Sequence, residues 1–234
     1  MINLSILLSD VLGGHRLTGS EATRLLNTRG RDILQVASAA DELRECRTGN
    51  VITYVKNQNL HVTNICKNLC GFCGFGRRAD DEGAFCNDKE AIQEKARLAV
   101  QRGVTEICLL SGVHPDFSID TYCDILSWVL EIGPSIHLHA FSPDEVCHAA
   151  SSRNLSSAEV LTRLKGAGLG SLQVLQQRFL WTLRTVIYPR KLNTAEWVRI
   201  IKEAHALGIP STATIMYGSY ETAKDQAEHL GCPG

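Results

Sequence analysis

The chain has no excess of charge of either sign: 24 Lys and Arg against 25 Asp and Glu leave a formal net charge of −1. That balance gives no electrostatic case for nucleic acid or for a membrane surface as a partner. No apolar run is long enough to span a bilayer. The N-terminal stretch Met1-Ile2-Asn3-Leu4-Ser5-Ile6-Leu7-Leu8 is apolar but has no basic lead-in and soon meets Asp10, so a secretory leader is not expected. With nothing pointing to an oxidising compartment, nine cysteines imply reduced thiols in a cytoplasmic protein rather than a disulfide framework. The 234 residues, 44% hydrophobic, suffice for one ordinary soluble domain with a core of its own.

Residues 1–50 read as a helical segment. Thr18-x-x-Glu21 forms a capping box, with Ala22, Leu25 and Leu26 at helical spacing behind it. A second helix is predicted from Asp32 to Cys46 with Ile33, Val36, Ala37, Ala40 and Leu43 on one side. Two short strands, Val51 to Val55 and Leu60 to Ile65, flank a turn-like Lys56-Asn57-Gln58-Asn59. Strands and helices then alternate. Helices are predicted from Asn87-x-x-Glu90, Ser118, Ser142-Pro143, Ser156-x-x-Glu159, Asn193-x-x-Glu196 and Glu221. Strands are predicted at Val104 to Leu110, Ser135 to Ala140, Gly170 to Leu172 and Pro210 to Tyr217. Such alternation implies an α/β fold of parallel strands, with active residues gathered at the strands' C-terminal ends. The expected organisation is residues 1–50 as the N-terminal segment and residues 51–234 as the core.

The chemistry-bearing stretch follows the Leu60 to Ile65 strand. Cys66, Cys70 and Cys73 stand at Cys-x3-Cys-x2-Cys. Three thiolates from one short loop can hold three irons of a 4Fe–4S cube and leave the fourth iron open. Structural zinc is the competing reading. It normally takes four closed ligands, often from paired Cys-x2-Cys, and only the Cys70–Cys73 pair is present, with Cys86 a distant candidate for a fourth. Gly71 and Gly74 are expected to let the loop bend tightly.

With Phe72 just before the last cysteine, this loop resembles the signature of the radical S-adenosylmethionine (SAM) enzymes. The flanks Val55 to Cys66 and Cys70 to Phe75, with Ile107 to Pro115, Ile136 to Val146, Asn193 to Trp197 and Gly208 to Gly218, resemble the second subunit of FO synthase, of coenzyme F420 biosynthesis. His139-Ala140-Phe141-Ser142-Pro143 and Ala213-Thr214-Ile215-Met216-Tyr217-Gly218 are the narrower motifs, and aminofutalosine synthase of menaquinone biosynthesis is similar in both. The resemblance implies a partial (β/α)6 TIM-like radical SAM barrel. It implies Cys66, Cys70 and Cys73 as ligands of a 4Fe–4S cluster, with SAM on the open iron. An electron from a low-potential donor would split SAM, and the resulting radical would take hydrogen from L-tyrosine. The 4-hydroxybenzyl fragment would then join 5-amino-6-(D-ribitylamino)uracil, with FO synthase subunit 1 as functional partner. The resemblance places Phe72, Ser111, Gly112, Met216, Tyr217 and Gly218 against SAM and makes His139 and His114 catalytic candidates. His137 shares a strand face with His139. An aminofutalosine synthase-like enzyme and an inactive iron–sulfur-binding remnant are the alternatives.

Two departures accompany the resemblance. After Gly168-Leu169-Gly170-Ser171-Leu172, members of the family continue with a Pro-Gly-Thr-Ser-Ala-Glu-Ile type of stretch. Here Gln173-Val174-Leu175-Gln176-Gln177-Arg178-Phe179-Leu180-Trp181-Thr182 stands instead. With plausible codons the two are related by a one-base shift, so compensating frameshifts, or sequencing errors, bracketing the segment are expected. As written, the chain loses a glutamate and small residues at the fourth strand end, where Phe179 and Trp181 would crowd. The resemblance also implies a further C-terminal segment with the sixth strand, so the barrel is expected to be C-terminally incomplete and turnover low or absent.

Overall fold

The computed structural model describes residues 3–173, 187–215, 217–218 and 221–231. They fall into two compact units, residues 3–54 with 215–231, and residues 55–173 with 187–214.

In the first unit, α1 (Leu4–Leu12) is capped by the Asn3 side chain, and α2 (Gly19–Leu26) by the expected reciprocal box between Thr18 and Glu21. Helix α3 (Asp32–Thr48) ends at Gly49, whose φ of 64° suits glycine. Its covered stripe is Val36, Ala39 and Leu43: Val36 and Leu43 lie on the predicted side, while Ile33, Ala37 and Ala40 of that side are exposed. Apolar residues are spread around this helix, so spacing alone does not single out the face that packs on α1. A last helix, α9 (Ala223–Leu230), packs against α2 and carries its own Thr222–Asp225 box.

The second unit is built on alternation. Strands β1 (Asn57–Thr63), β2 (Glu106–Ser111), β3 (His137–Ala140) and β4 (Ser171–Leu172) form a parallel sheet in that order. Leu60 and Val62, Ile107 and Leu109, and Leu138 and Ala140 are fully buried on one face. With Leu172 they meet the apolar sides of α4 (Lys89–Gln101), α5 (Ile119–Leu130), α6 (Pro143–Arg153), α7 (Ser157–Gly166) and α8 (Thr194–Ala206) in one core. On α5, Tyr122, Ile125, Leu126 and Val129 supply the buried i, i+3, i+4, i+7 stripe. The alternate residues line up in rows on the other face: Asn57, Glu106 and His137, then Asn59, Cys108, His139 and Ser171, then His61 and Leu110.

Three expectations are corrected. Val51 to Val55 is not a strand; Val51, Ile52, Tyr54 and Val55 are exposed, and the ladder with β2 begins at Asn57, within the expected turn. The Lys56 carbonyl already accepts from Thr105 N at 2.9 Å, which sets that register. The cap of α4 is Asp88, whose carboxylate accepts from Ala91 N at 2.9 Å; Asn87 instead donates to the His61 carbonyl at 2.7 Å. The Pro210 to Tyr217 strand is reduced to a single parallel bridge, Leu172 to Ser211, because two-residue β4 offers no longer ladder. No helix of the described residues is long and apolar enough to cross a membrane.

Candidate metal centre

The cysteine loop leaves the C-terminal end of β1 and is tied down on both sides. Asn64 holds the far side, accepting from Phe85 N at 2.8 Å and donating to the Gly83 carbonyl at 2.9 Å. Cys66 N donates to the Arg77 carbonyl and Lys67 N to the Val113 carbonyl, each at 2.9 Å, so the loop is stitched to its own return and to the segment after β2. Gly112 makes that second seam possible. A Cβ there would lie 2.4 Å from the Ile65 carbonyl oxygen and 2.8 Å from Cys66 Cβ. The sharp backbone position in the loop is Leu69, at φ 43°, not Gly71 or Gly74, neither of which has positive φ. Gly71 serves close approach instead: its N–H donates to the Ile187 carbonyl at 2.6 Å, and a Cβ would sit 3.3 Å from that oxygen. Gly74 has nothing within 4 Å of an added Cβ.

Cys66 and Cys70 are half-buried and Cys73 is exposed. The side chains of Cys66 and Cys73 converge over Gly76, whose missing Cβ would lie 3.7 Å from Cys66 Cβ and 3.9 Å from Cys73 Sγ. Burial pushes the Cys70 thiol up to about 11; Cys66, Asp144 and Cys73 add to the rise, and Lys191 opposes it. Burial thus opposes ionisation of Cys70, and cationic iron would supply the positive charge that favours its thiolate. Among the described residues no three His, Cys, Asp or Glu side chains converge on a point as a single ion would require. Thiolates of a cube each bind a different iron, so three cysteines on one loop suit a 4Fe–4S cluster, whereas structural zinc takes four closed ligands. Cys86 pairs across an isolated bridge with Thr63 and is not among the groups acting on Cys70.

Behind the loop lies a buried carboxylate that sequence reading did not single out as a site residue. Asp144, on the first turn of α6, accepts from Asn68 Nδ2 at 3.2 Å and Leu192 N at 3.1 Å, with Lys191 Nζ at 3.7 Å. Arg190 donates to the Lys67 carbonyl at 3.1 Å. Lys67 Nζ lies 2.8 Å from His148 Nδ1, while His148 Nε2 lies 3.0 Å from the Pro115 carbonyl oxygen. A carbonyl only accepts, so Nε2 carries the hydrogen and Nδ1 accepts from the ammonium. The cysteine loop, the β2 loop and α6 are thereby joined by one imidazole. The Ser142-Pro143-Asp144-Glu145 motif contained Asp144, but as a helix start it gave no sign of this reach.

The other expected site residues divide. Ser111 donates to the Gly112 carbonyl at 2.7 Å beside the loop. Phe72 is 41% exposed and meets Tyr188 edge-on at 5.9 Å. His114 stacks on Phe117 at 4.4 Å, and its Nδ1 accepts from Asp116 N at 3.2 Å; burial lowers its pKa, with Asp116 opposing. His139 lies on the polar face of the sheet, 2.7 Å from Ser171 Oγ. Tyr217 and Gly218 belong to the other unit, where Tyr217 is exposed and Gly218 N donates to Glu221. Met216 lies outside the described residues, as do residues 174–183 of the altered stretch, with Phe179 and Trp181. Gln173 is described and buried, and its amide nitrogen lies 2.9 Å from the Leu109 carbonyl and 3.0 Å from that of His139.

Comparison with known proteins agrees with this geometry. The chain is 51% identical over 225 residues to the 5-amino-6-(D-ribitylamino)uracil–L-tyrosine 4-hydroxyphenyl transferase of Methanoculleus marisnigri, covering 96% of this chain and 61% of that protein. It is 51% identical over 229 residues to the protein of the same name from Methanosphaerula palustris, at 97% and 63% coverage. The Synechococcus elongatus protein of that name is 41% identical over 238 residues, at 97% and 61% coverage. The chain thus spans a little over 60% of the length of these curated relatives. Among solved structures, the FeFe-hydrogenase maturase HydG superposes with a TM-score of 0.77 at 19% identity, covering 97% of this chain and 49% of HydG. Methylornithine synthase (PylB) gives 0.66 at 19% identity, with 88% and 57% covered. The radical SAM superfamily profile matches residues 60–231, from β1 to the end of α9, and the chain belongs to that superfamily.

Proposed function

We propose that this chain is the radical SAM core of a transferase joining the 4-hydroxybenzyl group of L-tyrosine to 5-amino-6-(D-ribitylamino)uracil. Cys66, Cys70 and Cys73 ligate a 4Fe–4S cluster there. One observation carries the reading: three uncommitted thiols stand at the C-terminal edge of a parallel sheet, in a chain half identical to relatives named for this reaction. Cluster and SAM, when bound, supply the electron and the carbon radical that start hydrogen abstraction from the amino acid.

The chain's own residues hold and orient. Gly112 lets the β2 loop close on Cys66, and Ser111 fixes the Gly112 carbonyl, leaving backbone next to the thiols where the methionine part of SAM is to sit. Phe72 presents an exposed ring beside Cys73 for the adenine. Asp144 and His148 keep the loop in place without touching iron. His139 and His114 are the side chains offered to substrate. FO synthase subunit 1, a low-potential electron donor and a reducing cytoplasm complete the setting.

Anaerobic reconstitution with iron and sulfide tests this directly. The expected result is cubane absorption and a reduced-cluster EPR signal, both lost in Cys66→Ala, Cys70→Ala and Cys73→Ala. Given SAM and tyrosine, 5′-deoxyadenosine should form, and adding the ribitylaminouracil should give the coupled product. Turnover of a chorismate-derived enol ether in place of tyrosine would move the chain to the aminofutalosine branch.

A further inference from the structure

The rows on the polar face of the sheet contain a chain of hydrogen bonds that no contact with the cysteine loop explains. The Glu106 carboxylate accepts from Asn57 Nδ2 at 2.5 Å through one oxygen, and its other oxygen lies 3.9 Å from His137 Nε2. That same Nε2 is 2.8 Å from Ser171 Oγ, and Ser171 Oγ is 2.7 Å from His139 Nδ1. A serine hydroxyl has one hydrogen to give. It therefore donates to one imidazole and accepts from the other, and the direction of the chain is a choice between two tautomer sets.

Glu106 makes that choice. A carboxylate is acceptor-only, so the ring nitrogen facing it carries the hydrogen rather than a lone pair. His137 Nε2–H then donates to Ser171, and Ser171 donates to His139 Nδ1. A neutral His139 must hold its own hydrogen on Nε2, for which no described residue is a hydrogen-bond partner. Burial and the neighbouring His137 favour the neutral ring, with Glu106 opposing.

A second observation shows that the arrangement is built. Gly170 is not in the left-handed region, so its backbone does not demand glycine. A Cβ at that position would lie 2.5 Å from His137 Cε1 and 2.7 Å from its Nδ1. The absent side chain is the space the imidazole occupies.

We propose that Glu106, His137 and Ser171 are positioning residues that lock His139 as an Nε2–H donor for the phenolic oxygen of the aromatic amino-acid substrate. The identity of that oxygen rests on the function proposed above. In this reaction the bond that breaks is on the amino-acid side of the ring, so the phenol lies away from the cofactor. His139 stands in the row of Asn59, four residues before the end of β1 from which the cysteine loop departs. A neutral donor there favours tyrosine over phenylalanine, because an acceptor-free ring would leave a half-buried N–H unpaired.

Two measurements on the full chain test this. Long-range 1H–15N correlation on protein labelled at histidine reads tautomers without cofactor or substrate, with His139→Phe supplying the assignment. The wild type is expected to show His139 protonated at Nε2 alone near neutral pH. Glu106→Gln should mix the two tautomers, and Ser171→Ala should shift the Nδ1 resonance. A His139 protonated at Nδ1 in the wild type overturns the lock. Calorimetric titration of the reconstituted, SAM-loaded chain should show tyrosine binding about tenfold tighter than phenylalanine. Ser171→Ala and His139→Phe should reduce that ratio towards one. An unchanged ratio overturns the assignment of the phenol. Failure to make the coupled product would fall on the proposed function, while the tautomer measurement, which needs no substrate, still decides the lock.

Discussion

Glu145 offers a test that depends on no cofactor. It sits on the first turn of α6, 4% exposed, with Oε2 accepting from Ser142 N at 2.7 Å and from Ser142 Oγ at 2.9 Å. Oε1 is buried with no partner among the described residues. Burial raises its pKa from the usual 4.5 to about 8; the Ser142 hydrogen bonds and Lys191 oppose the rise, and Asp144 adds to it. The folded state therefore holds a proton that the unfolded chain releases near 4.5. Stability falls as pH rises between those values, by roughly 1.4 kcal/mol per unit, and levels off above the folded pKa. The whole interval amounts to roughly 5 kcal/mol, an order-of-magnitude figure. Glu145→Gln keeps an acceptor for Ser142 and never ionises, so it imitates the protonated side chain at every pH. Urea unfolding of the cluster-free wild type and variant between pH 5 and pH 9 measures the difference, in which every other titrating group cancels. The variant should gain on the wild type as pH rises, by at least 2 kcal/mol by pH 8.5. Parallel stability curves for the two proteins would refute the reasoning and show that the carboxylate reaches solvent or a partner.

Gly112→Ala should push the β2 loop off Cys66, because the new methyl meets backbone at Ile65 that cannot swing aside. Overpacking of this kind costs about 1–3 kcal/mol, and iron and sulfide content after reconstitution should fall with all three cysteines intact. Asp144→Ala removes the acceptor shared by Asn68 and Leu192; a loss of about 3 kcal/mol in urea unfolding and a shorter cluster lifetime in air are expected. Tyr122→Phe should leave Tm unchanged or raised, since the hydroxyl is buried without a partner among the described residues; a clear fall in Tm would reveal a bound water or another acceptor. Reading the gene from codon 170 to codon 185 should show codons that yield Pro-Gly-Thr-Ser-Ala-Glu-Ile in a shifted frame; codons that cannot do so dispose of the frameshift idea.

The parts of this protein legible in its sequence are those set by local chemistry. The Thr18–Glu21 and Ser156–Glu159 boxes and the Tyr122 to Val129 stripe each lie within a few residues of chain, and each stands as read. The misplaced elements were decided at longer range. Asn57, Gln58 and Asn59 have the composition of a turn, yet they pair with Glu106, Ile107 and Cys108 because β2 needs a neighbour there. Val51 to Val55 has the composition of a strand but gains no ladder. At α4, Asn87 and Asp88 are both good caps, and the choice fell to Asp88 because the Asn87 amide is used by the His61 carbonyl. The site shows the same division. Three thiols announced themselves by spacing, whereas Asp144, His148 and Ser171 act on residues 76, 81 and 32 positions away. Only the glycines hinted at those approaches, and a glycine does not name its neighbour.

The misreading of β1 and the position of the candidate chemistry have one cause. A parallel sheet covered by helices on both faces carries near-continuous apolar strands. Here Leu60, Val62, Ile107, Leu109, Leu138 and Ala140 are sealed against helices, while the residues between them are Asn59, His61, Cys108 and His139. Such alternation costs nothing on a face turned to solvent, and Asn59 and His61 are exposed, but Cys108 and His139 on the central strands are half-covered, Cys108 accepting from Gln173 and His139 meeting Ser171. Half-covered, hydrogen-bonded polar groups on the central strands of such a face are what a barrel lining offers a site, where polar groups are held in fixed directions. The cysteine loop leaves from the end of the strand that borders this face, so the thiols and the imidazole row are placed by one decision of the fold: which side of the sheet the helices cover. Polar residues that weaken β1 as a strand in the sequence therefore lie on the side of the sheet where the proposed site is placed.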